Sequence, residues 1–352
     1  MPSSELVWPD ARAAVRDAAA SDPAAAVTAP PMPWERQLRT AALASVAMAV
    51  PDQVVTNATV AERAGVTAQW IAHRTGVHER RHATDGERLQ DFATAAGRQA
   101  LQEAGVDAAD VDLVLVATLA ADEFTPNAAP LVAHDLGATG AGAMDVGAAC
   151  TGFLSALQIA TAQVESGRAD NVLVIGADMV SRFVDQTDRG TAALFADGAG
   201  AALVTPAKEG SGRIGQILLR SDGSGAPSIT AAQSDRIIRM QGHDTFKAAV
   251  LRMSEATVDA VARAGLTLDE IGLFVYHQAN ARILTAVSDR LGLDEAKLVN
   301  SIDRYGNTSS ATLPIALVDA RERGMLQPGM QVLLAAFGAG FTWGAGVIEW
   351  AA

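Results

Sequence analysis

The chain has a single cysteine, Cys150, which stands in the segment VGAACTGFLSAL between small residues and an apolar helical pattern. Unpaired backbone N–H groups and the helix dipole stabilise a thiolate in the first turn of a helix, where it can act as a nucleophile. The alternative is a cysteine that only packs, because free cysteine is usually a small, inert hydrophobe. The small neighbours Ala148, Ala149 and Gly152 favour the nucleophile, since they would let a bulky thioester approach.

Two further segments carry polar side chains that could act with this thiol. In FVYHQANARIL (274–284), an apolar strand runs directly into His277, and α/β enzymes place site residues at such strand ends. In DRYGNTSSATLPIAL (303–317), a turn at Asn307 precedes a Ser/Thr-rich helix start. Taken singly, such a histidine is more often structural and such an asparagine is more often a turn residue. Their significance therefore depends on whether the fold brings them to Cys150.

An internal duplication supplies that positioning. The segment AGVDAADVDLVLV (104–116) matches AGLTLDEIGLFVY (264–276) at a spacing of 160 positions, and NVLVIGA matches QVLLAAF at the same spacing. Apolar runs rich in Val, Leu and Ile between helical patterns are typical of buried strands in a mostly parallel sheet. The spacing pairs Cys150 with Ser310, close to Asn307, so we expect two helix starts to meet in one crevice.

The duplication predicts an α/β protein of two similar halves whose sheets stack through shared helices. The N-terminal half would span residues 39–208 and carry the nucleophilic cysteine. The C-terminal half would span residues 209–352 and carry the histidine and the asparagine. Residues 1–38 are rich in Ala, Asp and Pro, and we expect a partly disordered appendage there.

Composition excludes several classes of function. The chain has 352 residues, of which 49% are hydrophobic and 19% are charged, as in a globular protein. A net charge of −13 argues against nucleic acid as a partner, because phosphate binding needs a basic face. A lone cysteine forms neither an intrachain disulfide nor a Cys-rich zinc site, which favours a reducing compartment. With no long apolar run and an acidic N-terminus, we expect a cytoplasmic protein without membrane insertion or a signal peptide.

The motifs AACTGF, HQAN and GNTSSA, in this order, resemble those of the ketoacyl-ACP synthase III family of the thiolase superfamily. The likeness continues through TAQWIAHRTGVHERR (67–81), DQTDRGTAALFADGAGAAL (185–203) and AAFGAGFTWGAG (335–346), and it covers about residues 40–352. It implies the thiolase fold, an α/β architecture in which the two duplicated halves stack as five layers, αβαβα. It also implies a homodimeric condensing enzyme that initiates fatty-acid or polyketide synthesis.

The resemblance assigns roles to the three polar residues. The Cys150 thiolate would attack an acyl-CoA thioester and hold the acyl group. Malonyl-ACP would then bind and lose CO2, while Nε2 of His277 and the amide of Asn307 stabilise the enolate. The backbone N–H groups of Cys150 and Ala339 would form the oxyanion hole, although the family commonly has Gly at the latter position, so Ala339 needs a negative φ. No metal and no cofactor are implied, because acyl-CoA is a substrate.

The resemblance also implies a binding site for coenzyme A. The indole of Trp70 and the guanidinium of Arg74 would hold the adenine by stacking and phosphate pairing. Trp70 could instead be a half-buried helix residue without contact to substrate. Four further residues would lie near the adenine or line the pantetheine tunnel, namely Arg189, Gly190, Phe246 and Asn280.

Carrier-protein docking and acyl choice rest on fewer residues. Lys247 and Arg282 would dock the acidic carrier protein, with a solvated helix face as the alternative. Thr125, just before Pro126, stands where the family sets the depth of the acyl pocket, and its small side chain would leave room for a group larger than acetyl. The loop at 221–242 is shorter than in acetyl-specific relatives, which would alter the lid of the pocket.

Other functions on the same fold agree less well with these residues. An acyltransferase would pass the acyl group to an alcohol or amine without decarboxylation, and relatives of that kind can carry Asp where Asn307 stands. A non-catalytic dimer partner would lack the cysteine or the histidine, and both are present. Type III polyketide synthases share the three residue types, but the sequences around them differ more. The condensing enzyme is therefore the preferred prediction.

Overall fold

The computed structural model describes residues 38–351, so nearly all of the predicted appendage at residues 1–38 lies outside the described residues. The strands are β1 (Ala41–Ala49), β2 (Val54–Thr56), β3 (Glu79–Arg81), β4 (Leu113–Ala117), β5 (Gly142–Val146), β6 (Val172–Met179), β7 (Asp197–Pro206), β8 (Arg213–Ile214), β9 (Leu218–Ser221), β10 (Ile229–Ala231), β11 (Ile238–Met240), β12 (Leu273–Tyr276), β13 (Gln331–Gly338) and β14 (Thr342–Glu349). The α-helices are α1 (Asn57–Ala64), α2 (Ala68–Thr75), α3 (Leu89–Ala104), α4 (Ala128–Leu136), α5 (Gly152–Glu165), α6 (Gly242–Arg263), α7 (Ala281–Leu291), α8 (Ile302–Tyr305) and α9 (Thr312–Glu322).

Two five-stranded sheets reproduce the duplication. The first has the strand order β1-β7-β6-β4-β5, and the second contains β12-β13-β14-β8 with β9 also paired to β14. In the first sheet β4 runs parallel to β6, with Leu113 opposite Val172. In the second sheet β12 runs parallel to β13, with Leu273 opposite Val332, which is the same register 160 positions later. The predicted internal repeat is thus present in the strand pairing itself.

The layers follow from which faces of the sheets are apolar. Helices α5 and α9 lie between the sheets, where Phe153 and Leu313 belong to one buried cluster with residues of both sheets. Helices α3 and α4 cover the outer face of the first sheet, and α6 and α7 cover the outer face of the second. Burying each such large side chain contributes about 1.5–3 kcal/mol. The predicted five-layer arrangement, αβαβα, is confirmed.

Glycine at one position lets the two halves touch closely behind the site. A Cβ on Gly176 of β6 would lie 2.4 Å from the carbonyl oxygen of Ser310, which belongs to the other half. No side chain fits at that distance. The turn before α9 can therefore pack directly against the first sheet only because β6 has glycine at this position. This contact sets how deeply the second half is seated against the first.

Each sheet is built from one continuous part of the chain. All strands of the first sheet lie between Ala41 and Pro206, and those of the second between Arg213 and Glu349. The predicted division between residues 208 and 209 falls in the intervening segment and stays a prediction. Within residues 38–351, no helix combines the length and the apolar character that crossing a bilayer demands.

Candidate active site

Cys150 lies in a tight turn, Ala149–Thr151, that runs directly into α5. The turn follows β5, whose parallel pairing with β4 delivers the chain to this edge of the sheet. A Cβ on Gly152 would lie 3.1 Å from the Cβ of Ala117, so glycine lets the start of α5 sit close to β4. The predicted position of the thiol, at the start of a helix after a strand, is where the structure has it.

The environment of the thiol opposes ionisation. Desolvation raises the pKa of Cys150 to about 11, and the charge of Asp178 acts in the same direction. The hydroxyl of Ser309, which donates to Sγ at 3.5 Å, lowers that pKa. Formation of a thiolate here depends on hydrogen-bond donors at the sulfur, since the surrounding protein provides little solvation.

His277 follows β12 and is 2% exposed. Its backbone N–H donates to the carbonyl of Ala335 on β13, which continues the strand pairing and fixes the residue at the end of the sheet. Nδ1 is buried and has no hydrogen-bond partner among the described residues, so Nε2 is the nitrogen available to the cavity. Burial lowers the pKa of His277 to about 3, and the imidazole is therefore neutral at physiological pH.

Asn307 is held by hydrogen bonds from the first half of the chain. Its backbone N–H donates to the Leu194 carbonyl at 2.9 Å, and its carbonyl accepts from the Ala196 N–H at 2.9 Å. Its side-chain Oδ1 accepts from the Ser309 N–H at 3.0 Å. Because Oδ1 is occupied in this way, the amide nitrogen is the group presented to the cavity.

The end of β13 lies against the nucleophile. A Cβ on Gly338 would lie 2.9 Å from the backbone nitrogen of Cys150, so only glycine allows this approach. The next residue, Ala339, lines the cavity. Ala339 is not among the residues with left-handed φ, so it meets the requirement for a negative φ that the sequence analysis placed on an alanine at this position. Two backbone segments thus converge where an oxyanion would need donors.

These residues line one cavity of about 810 Å³. All but one of the residues that the sequence singled out border it, namely Cys150, His277, Asn307, Ala339, Trp70, Arg74, Arg189, Gly190, Phe246, Asn280, Lys247 and Arg282. The shared cavity brings together segments that are up to 269 positions apart in the chain, from position 70 to position 339.

The opening of the cavity carries a tryptophan between two guanidinium groups. The ring centroid of Trp70 lies 6.0 Å from Cζ of Arg74 and 5.8 Å from Cζ of Arg189. Both arginines are exposed, whereas Trp70 is partly buried. Two like charges near one ring repel each other unless an anion lies between them, so the arrangement suits an aromatic group that carries phosphate.

A second group of residues continues along the wall between the opening and the thiol. Cζ of Arg282 lies 5.5 Å from the ring centroid of Phe246. Asn280 caps α7, since its Oδ1 accepts from the Arg282 N–H at 3.0 Å, and its Nδ2 donates to the Arg74 carbonyl at 3.3 Å. Lys247 and Arg282 are exposed, so their charges are available at the surface.

Thr125 is the exception among the residues singled out. It does not line the cavity and is exposed on the segment between β4 and α4. The neighbouring Phe124 is 91% exposed, which shows that this segment runs along the surface and not back over Cys150. Within one chain Thr125 therefore does not border the cavity, and its role in setting the depth of the acyl pocket stays a prediction.

Other residues at the site carried no recognisable signal in the sequence. Ser309 contacts Sγ, and the fully buried Asp178 binds the turn that carries Ser309. The β10–β11 hairpin also lines the cavity, through Ile229, Ile238 and Met240. The hairpin falls within the loop at 221–242, where the sequence predicted an altered lid.

Comparison with protein-family profiles finds two matches. The profile described as 3-Oxoacyl-[acyl-carrier-protein (ACP)] synthase III matches residues 144–223. The profile of the C-terminal part of the same family matches residues 261–350. The first match contains Cys150, and the second contains His277 and Asn307.

Curated relatives and solved structures agree with the profiles. The beta-ketoacyl-[acyl-carrier-protein] synthase III of Rhodospirillum rubrum is 44% identical over 313 residues, which cover 85% of this chain and 96% of the relative. The 3-oxoacyl-[acyl-carrier-protein] synthase III of Aquifex aeolicus superposes with a TM-score of 0.85 at 38% identity, covering 88% of this chain and 100% of that structure. The priming beta-ketosynthase of the R1128 polyketide pathway gives a TM-score of 0.86 at 36% identity, covering 92% and 99%.

Proposed function

Because this chain belongs to the 3-oxoacyl-[acyl-carrier-protein] synthase III family, we propose that it condenses an acyl group from acyl-CoA with malonyl-ACP to give a 3-ketoacyl product. One observation supports this most directly. Cys150, His277 and Asn307 come from three separate segments and border the same cavity. A nucleophile, a neutral imidazole and a side-chain amide are the groups that a two-stage condensation needs.

The first stage loads the enzyme. The Cys150 thiolate attacks the thioester carbonyl of acyl-CoA, a carbon–sulfur bond forms to the enzyme, and the bond to CoA breaks. CoA leaves as a thiolate and takes up a proton. The backbone N–H groups of Cys150 and Ala339 would donate to the oxyanion of the tetrahedral intermediate, which Gly338 makes possible by its close approach.

The second stage forms the carbon–carbon bond. Malonyl-ACP loses CO2, and the electron pair of the broken bond forms an enolate. Nε2–H of the neutral His277 and the amide of Asn307 would donate to its oxygen. The enolate carbon then attacks the acyl-cysteine, and the Cys150 thiolate leaves. This sequence needs no metal and no redox cofactor, because the thioester and the loss of CO2 provide the driving force.

Substrate binding follows from the charges along the cavity. The adenine of CoA would stack on Trp70 between Arg74 and Arg189, with Gly190 nearby. The pantetheine would pass Phe246 and Asn280. The exposed Lys247 and Arg282 would receive the acidic carrier protein, which a chain with a net charge of −13 would otherwise repel.

We further propose a homodimer in the cytoplasm, where acyl-CoA and the carrier protein are available. The support for a dimer is β5, which is the edge strand of the first sheet. Met144 on β5 is 48% exposed. An exposed edge strand with apolar side chains tends to pair with another strand. Two copies of β5 could continue the sheet from one subunit to the other.

The test of the function is intact mass spectrometry with a panel of acyl-CoAs, followed by addition of malonyl-ACP. We expect an acyl adduct on the wild-type enzyme, none on Cys150→Ala, and release of a 3-ketoacyl product after malonyl-ACP is added. An adduct that ignores malonyl-ACP and moves to an alcohol or amine would identify an acyltransferase. If no donor gives an adduct, both enzyme functions are wrong.

A further inference from the structure

The sulfur of Cys150 has one hydrogen-bond donor among the described side chains, the Ser309 hydroxyl at 3.5 Å. We propose that Ser309 is a catalytic residue whose hydroxyl stabilises the Cys150 thiolate, and that Asp178 is a positioning residue that holds the turn carrying Ser309. The inference rests on the proposed function, since it takes Cys150 as the nucleophile. It assigns roles to two residues that the three-residue mechanism leaves out.

The geometry around Ser309 fixes its hydroxyl in place. The residue is 1% exposed, borders the cavity and lies in the turn Ser309–Ala311 that leads into α9. Its backbone φ is 52°, a conformation that costs free energy for a residue with a side chain and persists only where the surroundings impose it. The Ser309 N–H donates to Oδ1 of Asn307, so one residue orders the amide and contacts the sulfur.

Asp178 binds this turn to the first half of the chain. Its Oδ2 accepts from the Ser310 N–H at 2.9 Å and lies 2.6 Å from Ser310 Oγ. Its Oδ1 accepts from the Thr118 hydroxyl at 3.0 Å and from the Leu119 N–H at 2.9 Å. Oδ1 thus binds the first half of the chain and Oδ2 binds the second. A displacement of Asp178 would therefore move the turn relative to Cys150.

Asp178 does not stabilise the Cys150 thiolate through its charge. Asp178 is 0% exposed, and no ion pair within residues 38–351 includes it. Burial raises its pKa, and its negative charge raises the pKa of Cys150, the titratable group beside it. The other groups packed against it are the hydroxyls of Thr118, Ser309 and Ser310 and the backbone N–H groups of Leu119 and Ser310. Its contribution to the thiolate must come through the turn that it holds.

The chemistry at the sulfur requires a donor of this kind. A hydroxyl carries one proton, and Ser309 Oγ has two acceptors for it, Sγ of Cys150 at 3.5 Å and the carboxyl group of Asp178; the negative charge of a thiolate favours donation to the sulfur. A hydrogen bond to a charged acceptor is stronger than one to a neutral group, so the Ser309 donor favours the thiolate over the thiol. During loading, the same contact would hold Sγ in position for attack on the thioester carbonyl.

The test measures the thiol directly. Cys150 is the only cysteine in the chain, so the rate of alkylation by iodoacetamide as a function of pH reports on this sulfur alone. Ser309→Ala and Ser309→Gly both remove the hydroxyl, but only glycine adopts the left-handed φ freely. We expect both variants to shift the midpoint of the profile upward by about one pH unit, with alkylation at neutral pH about tenfold slower.

Two comparisons make the result decisive. Ser254→Ala removes another buried hydroxyl, which donates to the Val250 carbonyl inside α6, and it should keep the wild-type midpoint. Circular dichroism checks the folding of each variant, and the glycine variant covers the case in which alanine does not fold. A midpoint that stays at the wild-type value in both Ser309 variants would overturn the inference. Alkylation needs neither acyl-CoA nor carrier protein, so failure of the proposed function would show separately.

Discussion

Ala149 and Ser309 stand 160 positions apart and both adopt left-handed backbone conformations, with φ of 45° and 52°. Each precedes the start of a helix, α5 in the first half and α9 in the second. The duplication has therefore reproduced a strained turn as well as two sheets. The residue that follows the strained position is Cys150 in one half and Ser310 in the other, so equivalent turns present a nucleophile and an anchor to Asp178.

Asn307→Asp should separate the two stages of the reaction. The carboxylate has nearly the size of the amide, but it cannot donate a hydrogen bond to an enolate and repels its charge. We expect condensation to fall by about a hundredfold or more, while the acyl adduct on Cys150 still forms. Stopped-flow loading and product release measure the two stages. The control is Asn300→Asp at an exposed position outside the cavity lining, and equal loss of both stages in Asn307→Asp would contradict the assignment.

Trp70→Ala should weaken the binding of acyl-CoA with little effect on chemistry. Loss of the ring removes a stacking surface for adenine and the partner of two guanidinium groups. We expect KM for acyl-CoA to rise about tenfold at nearly unchanged kcat. The matched control is an acyl-pantetheine substrate, which has no adenine and should react equally well with the wild type and the variant. A similar loss with both substrates would place Trp70 outside adenine binding.

His277 predicts a specific pH dependence of stability. Its pKa in the folded protein is lowered to about 3 from 6.5, so the unfolded chain binds the proton first as the pH falls. The free energy of unfolding should therefore decrease between pH 6.5 and about 3, by up to about 1.4 kcal/mol per pH unit from this residue. Urea unfolding of the wild type and His277→Gln measures the difference. His134→Gln, at an exposed position on α4, should retain the wild-type dependence.

Asp178→Asn predicts the opposite trend with pH. Burial raises the pKa of Asp178 above its usual value of 3.8, so the unfolded chain releases this proton at lower pH than the folded protein does. The wild type should lose stability relative to the variant as the pH rises above about 4, because ionisation is less favourable in the buried site. Urea unfolding at several pH values gives the difference, and a wild type that gains stability relative to the variant over this range would contradict it.

Met144→Lys tests the proposed dimer. A lysine on the edge strand β5 would place like charges beside each other where two copies meet, and an edge lysine disfavours strand pairing. We expect the equilibrium to shift towards monomer by at least about tenfold, measured by sedimentation velocity over a range of concentrations. Leu251→Lys, at another exposed apolar position on α6, is the control and should remain dimeric. An unaltered dimer in Met144→Lys would exclude β5 as the interface.

The order of the motifs and the repeat spacing were enough to predict the layers and to bring Cys150, His277 and Asn307 together. The detail of their contact was not predictable. The spacing places Ser310 opposite Cys150, yet the side chain that reaches the sulfur is Ser309, while Ser310 points to Asp178. Which of two adjacent serines meets the thiol depends on a left-handed turn and on long-range packing, and a one-dimensional pattern contains neither.

Thr125 illustrates a related limit of sequence motifs. A match between motifs locates a residue along the chain, but whether it reaches a cavity depends on the path of the intervening segment. Here the segment after β4 runs outward, with Phe124 and Thr125 exposed. By contrast, Trp70 and Arg74 lie on one helix at a spacing that keeps them neighbours, so their placement at the opening followed from local structure.

The pair of guanidinium groups at Trp70 also affects how substrate arrives. A chain with a net charge of −13 repels an anion. This repulsion is weak beyond the Debye length, which is about 10 Å at moderate ionic strength. Closer in, the two arginines attract phosphate. Dissolved salt screens the repulsion and the attraction alike, so their opposing effects on the association rate partly cancel. Capture of an anionic substrate by this acidic protein is thereby buffered against changes in ionic strength.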